Sequence, residues 1–432
     1  MYATNFGGRC HESCRRNFAM TKQIYKILTW LLILIFAYSQ VHQWVYERNT
    51  SIWGFICLLT LGIAFAISFL RFFFSREYIT RNIFSNLTVL VSSFPVALLL
   101  AELMLRWFST GLESYGERNG SPVYHSSYDV YIQQFENGSG SFFVNQPSGT
   151  EMFNKSEFQY LHKYNSLGLR DREFKTDKDS NEFRILGLGD SFTEGVGTSE
   201  DSTWLRQLEY MLNHTSQKTR YTTMNGGAHG SDLFFSYELF DGCLLKYKPQ
   251  LVILNLNSTD INDCIYRGCG ERFDAQGHFH CKKGPWWEFF FGCSYIVRLI
   301  VLNLLHYDWQ LLSPAAQKNE EKIVLTEIGK KINDYLTLTK KNKITFLLVL
   351  QPLQEDIRDR TDPLQRLKFD TSIHYIRLAP YLSDSIHAYH DDFSLFYWPK
   401  DGHFTTRGYA IEANAIFKDY FAGQHIDSCQ KK

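Results

Sequence analysis

The chain carries no excess of either charge: 45 Lys and Arg are matched by 45 Asp and Glu, and the formal net charge is zero. It therefore lacks the basic footprint by which nucleic-acid binding is recognised, and no nucleic-acid partner is expected. It also shows no internal repeat and no Gly-rich nucleotide fingerprint, so nothing points to a repeat architecture, and no cofactor is expected. The first apolar stretch has no small-x-small cleavage site, which speaks against a removable signal peptide. What the chain does have is aromatic surface, 16 % Phe, Trp and Tyr. That suits large cores, membrane faces and carbohydrate platforms alike.

The first hundred residues read differently from the rest. Three apolar stretches, Ile24–Trp44, Ile52–Phe73 and Leu87–Trp107, each approach the ~20 residues that cross a bilayer as a helix. Gln40, His42 and Gln43 make the first the weakest. Trp44, Trp53 and Trp107 sit at segment ends, as aromatic belts do. In the third, Glu102 and Arg106 lie four apart on one helical face and are placed to pair. Arg9, Arg15, Arg16, Lys22 and Lys26 precede the first stretch, and Arg71, Arg76 and Arg81 separate the second from the third. The positive-inside rule then puts the N-terminus in the cytoplasm. Three crossings put everything after about residue 108 outside, in the periplasm or extracellular space. The lipid bilayer is thus an expected partner.

Cysteine usage agrees with an outer, oxidising location. Cys243, Cys264, Cys269, Cys281, Cys293 and Cys429 fall beyond the apolar segments, an even set where disulfides can form. Their pairing stays open. His278 and His280 beside Cys281 raise the question of zinc, but the spacing fits no common ligand pattern, and no metal is expected.

Three parts follow from composition: a membrane anchor over 1–108, an extended connector over 109–182 that packs on the next domain, and a catalytic-type domain over 183–432. From 183 onward, apolar runs alternate with amphipathic stretches. Strands are predicted at 183–188, 220–224, 250–257 and 344–350, with a fifth near 384–389; helices are predicted near 203–214, 232–246, 319–341 and 405–421. Such alternation indicates a three-layer α/β/α domain on a flavodoxin-like parallel sheet, with ligands gathering at the carboxyl ends of its strands. A Cys- and aromatic-rich insert at about 264–315 interrupts it, containing Trp286-Trp287 and Phe289-Phe290-Phe291. A disulfide-stapled hairpin packing aromatics onto the domain is one reading, and a lid or substrate platform is the other.

Ser191, Gly230 and the 257–260 turn all fall just after predicted strands, and so should meet on one rim. Gly189-Asp190-Ser191-Phe192-Thr193-Glu194-Gly195 follows the first and offers Ser191 as a nucleophile. A serine hydroxyl is weak until a base takes its proton. His403, in Asp401-Gly402-His403, is the candidate base, with Asp401 to accept its other ring N–H. The resulting oxyanion needs fixed donors, for which the backbone of Ser191 and the Asn225-Gly226-Gly227-Ala228-His229-Gly230 loop are placed. His229 reads as a wall residue of that loop, Asp260 as a capping or turn residue.

These blocks, with the turn after 251–257, resemble in order the four blocks of the SGNH (GDSL-type) hydrolase superfamily. Asn165-Ser166-Leu167-Gly168-Leu169-Arg170 is similar to the lead-in of its membrane-associated bacterial members, including exopolysaccharide O-acetylation proteins. The resemblance implies Ser191 as nucleophile, His403 as base, Asp401 as its partner and Gly230 as an oxyanion donor. The third block departs from the family: Asn257-Ser258-Thr259-Asp260 puts Thr259 where the family carries an oxyanion-binding Asn, leaving Asn257 or the Thr259 hydroxyl as substitutes. The resemblance implies acyl transfer through an acyl-serine. Water as acceptor gives an esterase and a sugar hydroxyl an O-acyltransferase, with an acylated cell-surface glycan or other ester as substrate. A multi-span membrane acyltransferase is an implied partner. A catalytically weak glycan-binding or scaffold module, suggested by Thr259, and a lipid-active esterase stay open as alternatives.

Overall fold

The structure, a computed structural model, describes residues 97–108, 131–134, 141–216, 218–272, 285–307 and 311–422. The apolar segments Ile24–Trp44 and Ile52–Phe73 lie outside them. Of the third segment, residues 97–108 form a helix, and no helix among the described residues is long and apolar enough to cross a membrane. The chain divides into two compact units: Met1–His125 with Lys283–Ala315, and Ser126–Lys282 with Ala316–Lys432.

In the second unit the connector contributes two antiparallel hairpins, β1 (Tyr131–Gln134) with β2 (Ser141–Val144), and β3 (Thr150–Asn154) with β4 (Gln159–Lys163). The strands β5 (Glu182–Gly189), β6 (Arg220–Gly227), β7 (Leu251–Asn257), β8 (Thr345–Gln351) and β9 (His374–Arg377) then form one parallel sheet in the order β6-β5-β7-β8-β9. Every residue of β7 is buried, the near-continuous apolar pattern of a strand covered on both faces. Ile185, Leu251, Ile253, Leu347 and Val349 join one core with Trp204, Leu208, Leu382, Tyr409 and Ile416 from the helices Trp204–Thr215, Ala379–Ala388 and Thr406–Ile416. On the opposite side Phe346 stacks on Tyr335 of the helix Pro314–Lys341, and Tyr335 on Phe240. The parallel α/β expectation therefore holds.

One strand is misplaced by the sequence reading. Residues 384–389 belong to the end of the helix Ala379–Ala388, whose Leu382 and Ile386 are buried four apart, a helical and not an alternating spacing. The fifth strand is His374–Arg377 instead. It is short, lies at the sheet edge, and buries only Ile376, so its pattern is too brief to register.

Of the insert, residues 273–284 lie outside the described ones, so the hairpin reading falls partly on them. Its described part is helical, with turns at Glu288–Cys293, Tyr295–Arg298 and Leu299–Leu304, and it groups with helix 97–108. The predicted Glu102–Arg106 pair forms at 2.9 Å. Glu102 is wholly buried and also accepts from the Ser294 hydroxyl and the backbone N–H groups of Tyr295 and Ile296, which caps the start of that helix. Of the insert's cysteines, Cys264 and Cys269 form a disulfide in the second unit. Cys281 lies outside the described residues.

Candidate active site

β5 runs out at Gly189, and Asp190 caps the single helical turn Ser191–Glu194 by accepting from the Phe192 N–H at 2.9 Å. The turn stops at once because Gly195 takes a left-handed conformation, φ 90°. Ser191 therefore sits on a short rigid pedestal at the carboxyl edge of the sheet, beside the switch point where β5 meets both β6 and β7.

His403 reaches that pedestal from the far end of the chain. Its Nε2 lies 2.7 Å from Ser191 Oγ, and its Nδ1 lies 2.5 Å from Asp401 Oδ1. The ring packs against Phe192, centroids 4.8 Å apart, which limits its rotation. The loop carrying it closes through Gly402 N–H to the Trp398 carbonyl and Trp398 N–H to the His403 carbonyl, both 2.8 Å. Gly402 sits at φ 86°, a conformation that disfavours any side chain. Burial works to raise the Asp401 carboxyl, but the hydrogen bond and charge of His403, with the charge of Lys155, hold it below the usual range. Asp401 thus stays a carboxylate at neutral pH and fixes His403 with Nε2 toward Ser191.

The loop after β6 is tied to the end of β5: the Ala228 N–H and the Ser231 hydroxyl both donate to the Gly189 carbonyl, at 3.3 and 3.2 Å. Gly230 has φ 70°, and a side chain there would point into open space. Its neighbour His229 turns toward Glu194, not Ser191: both its backbone N–H, at 2.5 Å, and its Nδ1, at 3.2 Å, meet Glu194 Oε2. The other oxygen of Glu194 lies 3.3 Å from Nδ1 of His162, a fully buried residue of β4. Burial alone would raise the Glu194 carboxyl, yet the charges and hydrogen bonds of the two histidines outweigh it and hold it far below the ordinary value. Phe153 of β3 stacks on His162 and meets His229 edge-on. A buried carboxylate thereby bolts the Gly230 loop to the nucleophile turn.

The third block is occupied internally. The Asn257 amide donates to Asp190 Oδ2 at 2.8 Å, and Asn257 Oδ1 accepts from both the N–H and the hydroxyl of Thr259. Asp260 accepts from the Asn257 N–H and from the N–H of Leu233, tying the end of β7 to the helix Leu233–Leu239. Burial pushes the Asp190 and Asp260 carboxyls up, Asp260 further by its acidic neighbours Asp190 and Asp232. So the structure brings Ser191, His403 and Asp401 together and puts Gly230 in a loop tied to Gly189, whereas Asn257 and Thr259 serve each other and Asp190.

The lead-in block braces all of this. Asn165 Oδ1 accepts from the N–H groups of Leu167 and Leu169, making the tight turn that delivers Arg170. The buried Arg170 guanidinium donates to the carbonyls of Glu194, Gly195 and Thr198. Asp171 next to it accepts from the Asn225 N–H at 2.6 Å. Sequence reasoning missed Arg170, Glu194 and His162 as supports. Glu194 carries a visible signal, an acid three residues after the serine and entering the core; His162 carries none.

No protein-family model and no curated protein matches the chain. Among solved structures, it is similar to a two-domain esterase active on acetylated mannans, co-crystallised with mannopentaose, at 15 % identity over 57 % of this chain, with TM-score 0.36. The overlap spans half of that protein's length. The acetyl xylan esterase AlAXEase overlaps over 55 % of this chain and all of its own, at 15 % identity and TM-score 0.34. A lipolytic protein of the G-D-S-L family from Desulfitobacterium hafniense, described as putative, overlaps over 54 % of this chain and 97 % of its own, at 16 % identity and TM-score 0.30. At such scores the likeness leaves the chemistry to be read from the side chains of the site.

Proposed function

We propose that this chain is a membrane-anchored serine esterase or O-acyltransferase of SGNH type, acting on an acylated cell-surface glycan through an acyl-serine intermediate. The observation that carries the reading is the relay from Ser191 through His403 to Asp401, at 2.7 and 2.5 Å. His403 Nε2 takes the Ser191 proton as Oγ attacks the acyl carbon. The backbone N–H groups of Ser191 and Gly230 receive the oxyanion. His403 then returns the proton to the leaving sugar oxygen, the ester bond breaks, and the acyl group stays on Oγ. Water or a second sugar hydroxyl, deprotonated by the same imidazole, releases it. Asn257 and Thr259 contribute by holding Asp190, and through it the serine turn, in place.

Anchoring rests on the three apolar segments and on the placement of Lys and Arg around them; it sets the N-terminus in the cytoplasm and the catalytic domain outside. A multi-span membrane acyltransferase is the proposed acyl source if the acceptor is a sugar. One observation favours a second reading, a weakly catalytic glycan-binding module: the Thr259 hydroxyl, at the family's donor position, is engaged by Asn257. Incubating the full chain with acetylated oligosaccharides and with acyl glycerides tests both. Acetate released from, or moved between, sugars by wild type and not by Ser191→Ala supports the enzyme. Sugar binding without turnover supports the module, and turnover of glycerides alone moves the substrate to lipid.

A further inference from the structure

The turn between β3 and β4, in the connector and outside all four motif blocks, reaches the loop that carries the proposed base. Glu157 Oε2 accepts from two successive backbone N–H groups, Lys400 at 2.8 Å and Asp401 at 2.9 Å. The hairpin is seated there by its own packing. Lys155 N–H closes the turn onto the Phe158 carbonyl, and the Phe158 ring lies 5.2 Å from that of Trp398, the first residue of the base loop.

The base loop needs such a hold. Its two internal backbone hydrogen bonds join Trp398 to Gly402 and to His403, and neither engages the backbone N–H of Lys400 or Asp401. Gly402 beside Asp401 takes a left-handed backbone with open space around its missing side chain, so no side chain of its own braces the apex of the loop. A carboxylate that accepts two N–H groups makes charge-assisted bonds, stronger than neutral ones. It fixes the Asp401 backbone, hence the direction of the Asp401 carboxylate, and hence which imidazole nitrogen carries the proton.

We infer that Glu157 is a positioning residue for the proton relay: by holding the Lys400–Asp401 peptide it aims Asp401 at His403, and so His403 Nε2 at Ser191. The inference rests on the acyl-transfer reading above and extends it to a residue that touches no reacting atom. It makes the connector part of the catalytic apparatus. A carboxylate that merely stabilised a turn would affect folding and substrate affinity without altering the relay.

The experiment compares wild type, Glu157→Ala and Glu157→Gln in the full chain, purified in mild detergent, with 4-nitrophenyl acetate as substrate. Gln keeps an acceptor oxygen and should hold the peptide; Ala cannot. Misplacing a catalytic group by about 1 Å can cost on the order of 10²-fold in rate. Glu157→Ala should therefore lower kcat by about 10- to 100-fold with KM unchanged, and Glu157→Gln should recover most of it. Equal kcat in wild type and Glu157→Ala overturns the inference, as does a rise in KM alone. A proton NMR arm reads the relay without turnover. The downfield ring proton between His403 and Asp401 should be present in wild type and Glu157→Gln, and lost or broadened in Glu157→Ala. If wild type neither hydrolyses an ester nor transfers its acyl group to a sugar, the acyl-transfer reading falls, and the NMR arm still decides whether Glu157 sets the Asp401–His403 bond. An unchanged ring proton in Glu157→Ala refutes it.

Discussion

Asn257 donates its side-chain amide to Asp190, the residue immediately before the nucleophile, at 2.8 Å. Thr259 donates its hydroxyl to the same Asn257, so the pair forms one brace under the serine turn. Thr259→Ala should therefore change kcat by less than about 3-fold, whereas loss of a true oxyanion donor costs about 10²–10³-fold. Steady-state kinetics on any turned-over ester checks this. A 100-fold loss would return Thr259 to the oxyanion hole.

Asn257→Ala removes the partner of a buried Asp190 oxygen. An unmatched buried acceptor costs about 1–3 kcal/mol, so the midpoint of urea unfolding should fall accordingly. An unchanged midpoint would mean that Asp190 finds another donor.

Arg170 offers a sharper test of the lead-in block. Its guanidinium serves three carbonyls around the nucleophile turn while wholly buried. Arg170→Ala should destabilise the domain by about 3 kcal/mol or more, since unmet buried acceptors each cost about 1–3 kcal/mol. Arg170→Lys should not restore it, because an ammonium cannot reproduce the planar fork. Denaturant melts of both variants decide.

Glu194 makes a prediction about pH. Its folded carboxyl titrates below the unfolded value because His229 and His162 favour the charged form more than burial disfavours it. The stability it contributes is fully present above the unfolded glutamate pKa, about 4.3, and is lost as pH falls through it toward the folded value. Glu194→Gln should thus be less stable than wild type at pH 6, and the gap should shrink toward pH 3. A gap that stays constant with pH would contradict the assignment.

Most of the sheet was legible in the sequence. The strands β5, β7 and β8 are long and mostly apolar, β6 is rich in Tyr and Thr, and the predicted limits of all four fall within a few residues of the observed ones. Ser191 was legible because its block directly follows a recognisable strand, and Asp401 and His403 because a short Asp-Gly-His block stands just before a recognisable helix. Glu157 and His162 were not. Each acts by accepting from, or facing, a group brought near only by folding, and a single Glu or His in a Tyr-rich connector has no local signature. Asn257 and Thr259 were located, but the partners that their side chains meet were not. Sequence order cannot say whether a donor faces outward to a substrate or inward to Asp190.

The most direct measurement is covalent labelling of the full chain with a fluorophosphonate probe, followed by mapping of the modified residue. The account predicts stoichiometric modification of Ser191, none in Ser191→Ala, and labelling at least about 10³-fold slower in His403→Ala. Folded wild-type protein that resists the probe, or modification at another residue, would contradict it.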